Sequence, residues 1–66
     1  MRFIMIKGYD DKEVAINTAN ISAIKTFGED VCLLMSGVTP IITQFTSIAD
    51  AVDYIQRAPS ISLGAE

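Results

Sequence analysis

The sequence predicts an α+β domain, a single antiparallel β-meander of four to five strands with one C-terminal amphipathic helix packed on one face. Three observations point there. Short β-branched and aromatic runs alternate with clusters of Gly, Asp, Asn and Pro. After residue 47 the apolar period shifts to the i, i+3, i+4, i+7 spacing of a helix. Half of the 66 residues are apolar and 20% are charged, which sets the chain apart from disordered sequences.

The elements follow in order. Residues 2–7 (RFIMIK) form the first strand, and Gly8-Tyr9-Asp10-Asp11 turns the chain into 13–17 (EVAIN), whose residues alternate polar and apolar. Asn17 to Asn20 is a polar break suited to a turn or a single helical turn. Ile21 to Thr26 reads as a third strand. The spacing of three between Ile21 and Ile24 places Ile21 in the preceding turn and off the strand face. Phe27-Gly28-Glu29-Asp30 is the next turn, Val31 to Ser36 a strand apolar on both faces, and Gly37 to Pro40 a break. Ile41 to Phe45 is the last strand, with Pro40 at its start because proline donates no ladder bond.

The helix is expected over 47–58, with Ser47 as N-cap and Asp50 in the place a capping box gives to Glu. Its docking residues read as Ile48, Val52 and Ile55, and Asp53 and Arg57 form an i, i+4 pair on the wet side. Pro59 ends it near Ala58. One domain over 1–58 and a short tail over 59–66 account for the chain.

Several chemistries are excluded by counting. Without histidine, one chain can assemble neither a Ser/His/Asp or Cys/His nucleophilic system nor a histidine-ligated metal. A single cysteine, Cys32, forms no intrachain disulfide and no thiolate zinc cage. Mid-strand between Val31 and Leu33, it reads as a buried, inert small hydrophobe. A net charge of −3 argues against nucleic acid as a partner. The first apolar run, Phe3 to Ile6, is too short for a signal-peptide core or a membrane span. With one free thiol, the expected location is the cytoplasm.

The remaining candidates are modest. Asp50 and Asp53 sit on adjacent helical turns, where capping and a solvated face explain them better than a divalent cation does. The pairs Asp10-Asp11 and Glu29-Asp30 lack the alternating oxygen ligands of a calcium loop and read as turn residues. The four glycines never cluster into a phosphate-cradling loop. Arg2, Lys7 and Lys12 are possible anion contacts at the first hairpin, with Tyr9 beside them as a contact residue or as packing over the turn. No catalytic site, metal or cofactor is expected.

The stretch Asp11-Lys12-Glu13-Val14-Ala15-Ile16-Asn17, followed by Ile21-Ser22-Ala23-Ile24, resembles the DGKE-(x)-(I/L)N…IxxI opening of the FlbD/SwrD-type small proteins of flagellar operons. Asp30 to Gly37 is similar to their DTxIxLxNG strand and turn, and Ser47 to Ile55 to their closing helix. The resemblance covers roughly residues 3 to 56. It implies a β-meander with a C-terminal helix, and a non-enzymatic role in flagellar motor output. Ser36 stands where the family has Asn, and Val38-Thr39-Pro40 where it has basic residues, so the fold alone is carried over.

Function is then read from the faces. Alternate residues of the first, fourth and fifth strands are apolar on both sides, and one helix covers one side only. Ile4, Ile6, Leu34 and Ile42, or their opposite numbers, would form an exposed patch larger than a monomer usually tolerates. The expected protein is a small non-enzymatic interaction module, a homodimer or higher oligomer that also binds a protein partner. The second reading is an oligomer that binds or sequesters an anionic small molecule or nucleotide through Arg2, Lys7, Tyr9 and Lys12.

Overall fold

A computed structural model describes residues 2–61. Five antiparallel strands and one helix follow in the order the sequence predicts: β1 (Phe3–Lys7), β2 (Glu13–Asn17), β3 (Ile21–Phe27), β4 (Asp30–Met35), β5 (Ile41–Ile42) and α1 (Ile48–Arg57). A single 3₁₀ turn, Thr18–Asn20, joins β2 to β3. The strands form two ladders and not one continuous meander, β1-β2 and β3-β4-β5. The break falls at the 3₁₀ turn, where Asn17 caps the turn by accepting from the Ala19 N–H and so turns the chain out of the first ladder.

The ladders meet just past the end of β1. Gly8 bridges Thr43, and the Tyr9 N–H donates to the Ile42 carbonyl at 2.9 Å. At the other end of β1 the Ile61 N–H donates to Phe3, so the predicted tail begins as a bridge to its own chain. Leu63 and the rest of that tail lie outside the described residues. With β1 so engaged, β2 and β3 are the outermost strands.

Alternation sets the first ladder. Ile4 faces Ile16 and Ile6 faces Val14, and these inward positions bring Ile4, Ile6 and Ile16 into one cluster with Leu33 and Ala58. Ile4, Ile6 and Leu33 are at most 1% exposed. Burying side chains of this size is worth about 1.5–3 kcal/mol each.

The second ladder solves the Ile21–Ile24 spacing differently from the sequence reading. Ile21 opens β3 opposite Met35, and the register shifts before Ala23. The extra residue, Ser22, is a β-bulge that returns both Ile21 and Ile24 to the core side, where they pack on the central cluster. The Ser22 and Ser36 hydroxyls share a hydrogen bond at 2.9 Å beside it.

β5 is shorter than the expected 41–45. Thr43 still donates its N–H to the Val31 carbonyl at 2.9 Å, and its Oγ1 donates to the same carbonyl and accepts from the Phe45 N–H, so the chain turns away from β4 just after it.

The helix starts at Ser47, whose hydroxyl accepts from the Asp50 N–H at 3.1 Å. The Asp50 carboxylate accepts from the Thr46 hydroxyl, so this N-terminus is not a reciprocal capping box. Arg57 pairs with Asp53 on the solvated side, and Ala58 leaves the helix before Pro59. The docking face is rotated from the one the spacing suggests. Ala51 and Ala58 are buried and Tyr54 and Ile55 half-buried, whereas Ile48 and Val52 are 41% and 37% exposed. Two alanines let the helix approach closely, and the phenol of Tyr54 supplies the reach. Its hydroxyl donates to the Met5 carbonyl at 2.6 Å. No helix among the described residues is long and apolar enough to cross a membrane.

Candidate functional site

The β1–β2 turn is the most built surface feature. Gly8 N–H donates to Lys12, Asp11 N–H donates to Gly8, and the Asp10 carboxylate accepts from the Lys12 N–H. Asp11 sits at φ 70°, the left-handed position of a three-residue hairpin loop. Gly8 is buried under this turn, and a Cβ there would come within 3.1 Å of the Asp10 carboxylate. From here Lys7 reaches Asp11 at 3.7 Å, and Gln44 donates to the same carboxylate oxygen at 3.3 Å.

Beside the turn lies a pocket of about 240 Å³ lined by Lys7, Gln44, Phe45 and Tyr54. The Phe45 and Tyr54 rings pack tilted, with centroids 5.4 Å apart. Its volume falls below the roughly 300–1,000 Å³ of ordinary ligand sites. The one cation on its rim already faces Asp11, so the pocket holds apolar walls and a largely neutralised edge.

The proposed anion contacts do not converge. Arg2 is at the opposite end of β1 from the turn, about 17 Å away along the strand from Lys7 at ~3.4 Å per residue. Its guanidinium donates to the Ala58 carbonyl, which ties the end of the helix to the sheet. Lys7 pairs with Asp11, and Lys12 projects into solvent from the turn. Tyr9 is 69% exposed and does not pack over the hairpin. Of the four, Lys7, Tyr9 and Lys12 share the turn and Arg2 does not.

The four expected self-association residues also separate. Ile4 and Ile6 are enclosed in the core of the single chain and have no surface to offer a partner. Leu34 and Ile42 lie on the opposite face of the second ladder from Leu33, together with Cys32, and are half-buried. The face count failed because the strands bend into two ladders that enclose one side of each between them. Cys32 is 3% exposed between Lys25 and Ile42, the buried position read from the sequence.

Among the described residues no three acidic or cysteine side chains gather where they could hold a metal ion. The pocket residues Gln44, Phe45 and Tyr54 were invisible to sequence reading, which assigned the first two to a strand and passed over Tyr54 on the helix. Its signal was available: Ala51, Tyr54, Ile55 and Ala58 form an i, i+3, i+4, i+7 stripe as regular as the one chosen. No family model, curated protein or solved structure matches this chain.

Proposed function

We propose that this chain is a non-enzymatic interaction module of the cytoplasm that self-associates and binds a protein partner. One observation carries the reading: both ends of the folded sheet arrangement, β2 and β3, present strand edges that no other strand among the described residues covers. Such edges are templates for pairing with another chain. The absence of histidine and the burial of the single cysteine support a role without covalent chemistry. Phe27 and Val38, both more than half exposed, add apolar contact area for a protein surface.

Light scattering across a range of concentrations in ordinary salt tests this. The expected result is a mass that rises above 7.2 kDa as concentration increases. A mass fixed at one chain throughout would overturn the reading. A thermal-shift screen with nucleotides and phosphorylated metabolites is expected to stay flat, since a ligand of the native state would raise the midpoint by mass action.

A further inference from the structure

We propose that two copies of this chain pair through the free edge of β2, antiparallel about a two-fold axis at Ala15. This deepens the self-association reading above and rests on it. The two free edges differ in kind. β3 carries a bulge at Ser22 and a lysine, Lys25, features that blunt an edge against further pairing. β2 (EVAIN) carries no bulge, lysine or proline, and its register against β1 runs unbroken from Glu13 to Asn17.

The hydrogen-bond phase of the first ladder says which groups β2 offers. Gly8 N–H donates to Lys12 and Thr18 N–H donates to Arg2, and both pairs lie on the register of the ladder. Bonded pairs recur every second residue in an antiparallel ladder, so Ile6–Val14 and Ile4–Ile16 are the bonded pairs between them. The N–H and C=O groups of Glu13, Ala15 and Asn17 therefore point away from β1. The Asn17 C=O is already engaged, since Asn17 caps the 3₁₀ turn Thr18–Asn20, and no turn or loop bond among the described residues reaches the others.

A second β2, centred on Ala15, satisfies the free ones. Ala15 pairs with Ala15 of the partner copy, and the Asn17 N–H donates to the Glu13 carbonyl in both directions, giving four bonds that compete with none inside the chain. No like charges face each other in this register. Val14, 40% exposed at the border of the core, comes to lie beside the Ile16 position of the other copy on the inner face, so the apolar stripe continues across the axis. Five-residue edges of about 17 Å form an interface smaller than the ~1,200 Å² of stable complexes, so the dimer dissociates readily on dilution.

Sedimentation of the full chain from micromolar to millimolar concentration, beside Ala15→Pro, Ala15→Arg and Ala23→Arg, tests the edge. Ala15→Pro removes an outward N–H that the β1 ladder does not use, two bonds per dimer, and is expected to weaken association about thirtyfold. Ala15→Arg, at an exposed position, sets like charges opposite each other and guards against a proline variant that fails to fold. Ala23→Arg, exposed on β3, should leave association unchanged. A dimer indifferent to Ala15→Arg, or weakened as much by Ala23→Arg, would overturn the β2 edge and leave self-association standing. A native chain that is monomeric at millimolar concentration would overturn both.

Discussion

The two hairpins, β1–β2 and β3–β4, are both antiparallel, and each leaves one strand with a free edge, yet they reach their registers by different means. In the first, strict alternation puts Ile4, Ile6 and Ile16 inward with no irregularity, and a looser loop with a left-handed Asp11 closes the pair. In the second, a two-residue turn with Gly28 at φ 61° fixes the strands tightly, and a bulge at Ser22 corrects a pattern that alternation alone would leave out of phase. The same bulge roughens the outer edge of β3. Regular patterning thus leaves a plain edge, and irregular patterning a guarded one.

The comparison breaks if the hairpins are independent units, and the largest effects test that. Leu33 of the second hairpin and Ile4 of the first are fully buried in one shared cluster. Leu33→Ala and Ile4→Ala should each cost about 2–5 kcal/mol, enough to unfold much of a domain this small. Urea melts followed by circular dichroism and by tyrosine fluorescence should shift together in both variants. Two separated transitions would show that each hairpin folds alone.

The turns sharpen the contrast next. At Gly28 a Cβ would meet nothing within 4 Å, so the cost of Gly28→Ala comes from the backbone alone. A left-handed conformation costs an L-residue about 1–2 kcal/mol, and thermal melting should show a loss of that size. An unchanged midpoint would mean that this turn relaxes to another type. Slightly smaller is the tie between the first hairpin and the helix. Tyr54→Phe deletes the bond to the Met5 carbonyl and should cost about 0.5–1.5 kcal/mol by the same measurement. No loss would show that packing of the ring on Phe45 holds the helix without the hydroxyl.

How much of this could be read in advance follows the same division. Where one period governed, the reading succeeded: β1, β2, the Gly28 turn, the Ser47 cap and the Asp53–Arg57 pair stand where spacing put them. Ile21 was misplaced because a bulge inverts alternation without leaving a mark in composition. The helix face was misjudged because Ile48 and Val52 are more hydrophobic than Ala51 and Ala58. What decides docking is how near two backbones can come, and alanine permits that. Ile4 and Ile6 were assigned to a surface because strands were counted as one flat sheet, and flatness is a tertiary property that no single strand records. The pocket joins residues from β1, the segment after β5 and α1, so no local window contains it. The β2 edge was legible only in part: EVAIN showed its alternation, but its freedom depends on what β1 binds on the other side.

The smallest expected effect is also the one of opposite sign. Asp11 holds φ 70° in the first turn, a conformation glycine adopts without steric penalty. Its carboxylate returns something through Lys7 at 3.7 Å and Gln44 at 3.3 Å, but these are exposed contacts, and such pairs are worth little. Asp11→Gly should therefore stabilise the fold by about 0.5 kcal/mol, with the extra freedom of glycine in the unfolded chain offsetting part of the relief. For a domain of this size that is a rise of roughly 2–4 °C in Tm. The turn with glycine loses stability when given a side chain, and the turn with aspartate gains when its side chain is removed. A fall in Tm for Asp11→Gly would mean that the Lys7–Asp11–Gln44 contacts outweigh the strain, and that the first hairpin is held by its loop more than by its alternating core.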